Sequence, residues 1–173
     1  MSFLFTHLIT SWFVGTIYQL ISKKKLSPYT WLFLIAGAII PDLDFLIDWT
    51  LHTDIHRTIT HSITFAVLFP LLVYGILRIV GDKKSKYYSL ALSVGIITHL
   101  LLDMCYAPGI ALLWPGMINF SYHGISLVNH MLPSLFNSTL DRTIHFLREM
   151  LIDTALGAGW LFYLGLRKRI NFS

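Results

Sequence analysis

Apolar runs close to twenty residues long alternate along the chain with short polar turns. Five such stretches fall at about Ser2 to Ile21, Tyr29 to Ile47, Thr60 to Val80, Tyr87 to Tyr106 and Met150 to Leu166, each near the roughly 20 residues that a bilayer-spanning helix needs. The pattern predicts an all-α fold, a polytopic membrane helix bundle with about five transmembrane helices and an outer helical segment. Pro28 opens the second helical region directly after a lysine turn, where its missing N–H is tolerated. Pro41 interrupts that region after about 12 residues, or about 18 Å of helix, so Asp42 and Asp44 are expected below the usual headgroup level.

Composition agrees with this class. Hydrophobic residues make up 55% of the chain, charged residues 13%, and mean hydropathy is +0.65, a balance foreign to soluble domains of 173 residues. No basic region precedes the first stretch, and Trp12, Tyr18 and Gln19 stand where a signal peptidase needs small residues, so this stretch is expected to stay attached. The single cysteine, Cys105, allows no intrachain disulfide and leaves the redox compartment open. With no Pro/Gly/Ser-rich linker and no internal repeat, residues 1–173 read as one domain, in which 107–149 form an outer connecting segment.

Charge then sets the topology. Lys23, Lys24 and Lys25 join the first two spans; Arg78, Lys83, Lys84 and Lys86 join or flank the third and fourth; Arg167, Lys168 and Arg169 close the chain. With five spans, all three clusters lie on one side, which the retention of basic loops makes cytoplasmic, with the amino terminus outside and the carboxyl terminus inside. The net charge of +4 is therefore a topology signal, and its spread over membrane loops argues against a nucleic-acid partner.

The other side collects all eight histidines and eight of the nine acidic residues. His7 lies near the outer end of the first helix. Asp42, Asp44 and Asp48 end the second, and His52, Asp54, His56, Arg57 and His61 lead into the third. His99 and Asp103 occupy the outer end of the fourth.

An unpaired carboxylate at that depth is costly, and a cation relieves the cost. Asp42 and Asp44 are two apart, so an irregular turn after Pro41 is needed to aim both at one ion. His99 and Asp103 are four apart and share one helix face, able to ligate one ion or to bridge two. Mixed imidazole and carboxylate donors suit zinc first and manganese second rather than a calcium cage. Each residue also has a plainer reading. His7 alone suits a hydrogen bond to a backbone carbonyl or a serine, His61 sits between Thr60 and Ser62 in a capping position, and His99 with Asp103 suits a buried hydrogen bond without metal. Arg57 suits either bidentate binding of a phosphate or carboxylate, or anchoring on lipid headgroups. Farther on, Trp114 suits an interfacial anchor, and Asp141, His145, Glu149 and Asp153 form a polar stripe. In that stripe His145 and Glu149 are candidate ligands of a further ion, against simple solvation of an interfacial helix.

These residues carry a family resemblance. The chain resembles the YdjM-type family of predicted membrane-bound metal-dependent hydrolases through His7, Pro41-Asp42-Leu43-Asp44, His56-Arg57 followed by Thr60-His61-Ser62, and His99 followed by Leu100-Leu101-Leu102-Asp103. The likeness spans roughly residues 1 to 115, and the terminal helix fits the same plan. A more distant likeness is to zinc-dependent phospholipase C and P1-type nucleases, helical enzymes with a clustered multi-zinc site. Their order of ligands resembles His7, Asp42 or Asp44, His61, His99 with Asp103, and later His145 with Glu149, with His123 or His130 between. The resemblance implies a ligand set of His7, Asp42, Asp44, His61, His99, Asp103, His145 and Glu149 for one or more divalent ions.

The expected activity is metal-dependent hydrolysis at the outer face of a bacterial or archaeal cell membrane, on a phosphoester of a lipid or lipid-like substrate. Asp42 or Asp44 is expected to orient the attacking water, and Arg57 to hold a phosphate oxygen. Membrane lipids are the expected partners. A metal transporter is the first alternative, disfavoured because the cytoplasmic half offers Asp82 alone. A noncatalytic scaffold is the second, and it predicts no metal-dependent turnover.

Overall fold

The computed structural model describes residues 4–52, 58–106, 110–115 and 139–167. The helices are α1 (Leu4–Ser22), α2 (Pro28–Ile39), a 3-10 turn (Ile40–Leu43), α3 (Asp44–Leu51), α4 (Ile63–Ile79), α5 (Ser85–Tyr106) and α6 (Thr139–Leu166). The fold is all-α as expected. Because α2, the 3-10 turn and α3 follow one another without a gap, the described residues form five helical rods, the second of them broken at Pro41.

The expectation of about five transmembrane helices is corrected to three. Among the described residues, Leu4–Ser22, Pro28–Leu51 and Ser85–Met104 are long and apolar enough to cross a bilayer, and the chain is an integral membrane protein. The third rod, α4, is apolar but short. Ser62 in an extended conformation caps α4 by accepting from Phe65 N–H, and the left-handed Gly81 (φ 86°) turns the chain just past its end. The 17 residues between give about 26 Å of helix, short of a hydrocarbon core of about 30 Å. The last rod, α6, is 28 residues long, but Glu149 and Asp153 break its apolar run.

Contacts fix how the rods run. Ser11 donates to the carbonyl of Leu34, and Gly15 faces Trp31, so α1 and α2 are antiparallel. Phe33 stacks on Tyr88 and Gly37 meets Gly95, so α2 and α5 are parallel. Phe5 meets Gly157 and Trp12 meets Trp160 and Tyr163, so α1 and α6 are parallel. A tight turn reverses α4 into α5. These directions put Lys23 to Lys25, Arg78, Lys83, Lys84, Lys86 and Arg167 at one end of the bundle and His7, Asp42, Asp44, His61, His99 and Asp103 at the other. Among the described residues the basic and the His/Asp ends are sorted as expected, because α4 carries the chain back between the parallel α2 and α5.

Membrane helices gain nothing from burying apolar surface against one another when lipid is the solvent, so close backbone approach and polar links hold them. The α2–α5 crossing uses both. A Cβ on Gly37 would lie 2.3 Å from the Leu92 carbonyl oxygen, and one on Gly95 2.2 Å from that of Leu34, so only glycine fits on either side. Pro70 within α4 leaves the carbonyl of Ala66 without its usual i+4 donor. The Ser93 hydroxyl of α5 supplies one at 3.0 Å. Around this link Ala66, Leu92, Ile96, Leu100 and Ile110 form the apolar core, the last from residues 110–115, which fold back so that Leu112 O accepts from Ile63 N–H at the start of α4.

Candidate metal centre

Three rods and one turn deliver side chains to a single point. Pro41 tightens the backbone into the 3-10 turn that carries Asp42, and Asp44 opens α3 immediately after it. His61 sits in the turn before α4. His99 and Asp103 come one helical turn apart on α5, and His7 comes from the first turns of α1. His7, His61, His99, Asp44 and Asp103 are buried to 3% exposure or less, whereas Asp42 is 34% exposed.

The donor atoms of Asp42, His61, His99 and Asp103 crowd together. His61 Nε2 and His99 Nε2 are 3.2 Å apart. Asp42 Oδ1 lies 3.4 Å from the first and 3.5 Å from the second. Asp103 Oδ2 lies 3.2 Å and 3.7 Å from the same two atoms. The ligand atoms of these four residues all fall within 4.8 Å of one another. A tetrahedral zinc with bonds of about 2.0–2.1 Å requires ligand–ligand edges of roughly 3.3–3.4 Å; four of the edges here, at 3.2–3.5 Å, lie close to that spacing, and the His99–Asp103 edge at 3.7 Å is longer.

Both imidazoles are held so that Nε2 points inward. His99 Nδ1 is 2.8 Å from the carbonyl oxygen of Ala38, three residues before Pro41, where the helix ladder is interrupted. His61 Nδ1 is 3.0 Å from the Thr60 hydroxyl, which donates in turn to Asp44 Oδ2. Asp44 Oδ2 is also 3.4 Å from that nitrogen. An acceptor on Nδ1 fixes the tautomer and leaves the Nε2 lone pair for a metal, the usual arrangement around metal-ligating histidines. The two aspartates after Pro41 therefore differ in place: Asp42 faces the Nε2 atoms, and Asp44 faces the back of His61.

His7 stands beside the four. Its Nε2 is 3.6 Å from Asp103 Oδ1, the oxygen turned away from the cluster, and its ring stacks on His99 at 3.8 Å between centroids and 14° between planes. Of the two residues flanking His61 that were able to cap locally, Ser62 caps α4 by accepting from Phe65 N–H, and Thr60 turns to Asp44. Of the other sequence-predicted residues, Arg57 lies outside the described residues, as do His123 and His130. His145 lies on α6 with its side chain outside the described set, and Glu149 is half-buried one turn later on the same helix. Three partners escaped the sequence reading: the Ala38 carbonyl, the Thr60 hydroxyl as the link to Asp44, and Asp153, which is buried rather than part of a solvated stripe. Burial works against charge on His61, but hydrogen bonds to Asp103, Asp42 and Asp44 outweigh it and raise its pKa to about 10.

A cation entering the cluster must displace the His61 proton. Because the raised pKa keeps that proton bound at every pH below about 10, affinity for a divalent ion is expected to rise with pH, by up to about tenfold per unit between about pH 6 and 8. Titration of purified protein with metal at several pH values measures the slope. An affinity flat across that window would contradict binding at His61.

The model of one protein family, described as YdjM inner membrane protein, matches residues 1–168 of the chain. No curated protein and no solved structure matches it significantly.

Proposed function

The chain belongs to the family of YdjM inner membrane proteins, and from that membership together with the clustered donors of Asp42, His61, His99 and Asp103 we propose that it is a metal-dependent hydrolase. Its substrate is a phosphoester of a lipid or lipid-like molecule, its metal is zinc first and manganese second, and its site opens to the non-cytoplasmic side. The observation that carries this reading is the convergence of the ligand atoms of His61, His99, Asp42 and Asp103 within 4.8 Å of one another, with both imidazole Nδ1 atoms already engaged. A divalent ion held there supplies an acidified water and an electrophilic contact for a phosphoryl oxygen.

The residues divide the remaining work. His61, His99 and Asp103 are buried and hold position. Asp42 is the exposed edge of the cluster, so substrate would approach past it, and its carboxylate would accept the proton of the attacking water. Asp44, through Thr60, keeps His61 aligned. Arg57 pairs with a second phosphate oxygen and orients the phosphoryl group for in-line attack. Lipid is the favoured substrate because the cluster lies at one end of the spanning helices, where headgroups are expected, opposite the basic turns.

Purified, metal-loaded protein incubated with extracted membrane lipids is expected to release a phosphorylated headgroup or inorganic phosphate, detected by mass spectrometry. Chelation abolishes the release and added zinc restores it. Arg57→Ala is expected to lower turnover of anionic phosphate substrates by about 10- to 100-fold with bound metal unchanged. Absence of turnover across lipid, phosphoester and carboxylic-ester substrates by metal-loaded protein would turn the reading toward a scaffold or a metal transporter.

A further inference from the structure

The last helix meets the bundle along α1, and a carboxylate is buried at that contact. Asp153 is 5% exposed and accepts from Phe5 N–H at 3.0 Å, Thr6 N–H at 2.8 Å and the Thr6 hydroxyl at 2.6 Å. A buried carboxylate is expensive unless its oxygens are satisfied, and here three donors satisfy them. The first N–H groups of a helix have no partner within it, and its positive end favours an anion. Asp153 thus caps α1 from a residue nearly 150 positions away in the chain. One turn later Gly157 takes the Phe5 ring so closely that a Cβ would lie 2.3 Å from it, which fixes the register of the two helices.

The residue after this cap is His7. Its ring lies flat against His99, and its Nε2 faces the Asp103 oxygen that the cluster leaves over. We infer that Asp153 is a positioning residue of the metal centre: through the first turn of α1 it holds His7 against His99 and Asp103, and so keeps those two donors aimed. The inference rests on reading the cluster as a metal centre. It gives α6 a part in the site that does not depend on His145 or Glu149.

Cobalt is the probe, because its absorption bands report tetrahedral coordination directly. Full-length protein in detergent is titrated with Co²⁺ for wild type, Asp153→Ala, His7→Ala and the double variant. Each single change is expected to weaken Co²⁺ binding by about 10- to 100-fold, the usual cost of losing an outer partner. The double variant is expected to be no weaker than the weaker single, since both act on the same contact. Asp153→Asn keeps one acceptor oxygen for Thr6 and is expected to fall between wild type and Asp153→Ala; it takes the place of alanine in the cycle if the alanine variant does not fold. Wild-type affinity in the Asp153 variants, or losses that multiply in the double, would overturn the inference while leaving the metal centre intact. A wild-type protein that gives no cobalt spectrum and holds no metal would overturn the metal centre itself and the inference with it.

Discussion

Joint replacement of His99 and Asp103 by alanine is expected to abolish stoichiometric metal binding and with it any hydrolysis. These residues supply two of the four corners of the donor set, one of them bound back to Ala38 and the other in contact with both His61 and His7. Loss of an outer partner alone costs about 10- to 100-fold in metal affinity, so loss of two corners is expected to cost on the order of a thousandfold or more. Elemental analysis under non-chelating conditions, with circular dichroism to establish that the helices persist, reads the result. The variant is expected to remain helical, because the α2–α5 crossing at Gly37 and Gly95 lies one turn below the site and does not use either side chain. Unchanged metal content in a folded double variant would remove both from the site, and the histidine and carboxylate would then be a buried hydrogen-bonding pair.

Much of this site was legible in the sequence because its signals are local. The i, i+4 spacing puts His99 and Asp103 on one face of any helix. Pro41 announces a break, and two aspartates directly after a break inside an apolar run ask for a cation. The sorting of basic and acidic ends agrees with the directions in which the rods run, α4 and α6 included. What was not legible depends on distance across the fold. Nothing in the spacing of Asp42 and Asp44 says which one faces the Nε2 atoms, because that is decided by the angle at which the 3-10 turn leaves α2. The stripe from Asp141 to Asp153 has the periodicity of a solvated face, yet Asp153 is drawn inward by unsatisfied N–H groups of α1, a demand that no local pattern encodes. The span count failed for a related reason. Hydropathy windows register composition, while the length of α4 is set by the Ser62 cap at one end and the Gly81 turn at the other.

The glycine crossing ties fold to function, and Gly95→Ala is expected to lose both together. A Cβ at Gly95 would meet the Leu34 carbonyl oxygen at 2.2 Å, and this neighbour is backbone, so relief requires the helices to part by roughly 1 Å to restore ordinary contact. Overpacking of this kind costs about 1–3 kcal/mol, which for a chain of this size lowers the melting temperature by several degrees. The larger effect falls on the site. Asp42 and the Ala38 carbonyl ride on the α2 rod, whereas His99 and Asp103 ride on α5, so a 1 Å separation opens the tetrahedron by several times the roughly 0.2 Å tolerance of a metal–ligand bond. Affinity is expected to fall by on the order of 100-fold. Gly75→Ala is the matched control, since a Cβ there meets nothing within 4 Å, and it is expected to leave stability and metal binding unchanged. Thermal melts and metal titrations of the two variants decide the matter. If Gly95→Ala melts early but binds metal as wild type does, the crossing stabilises the bundle without setting the site. If it behaves like Gly75→Ala in both measurements, α2 and α5 do not approach as closely as the Gly37–Gly95 contact requires.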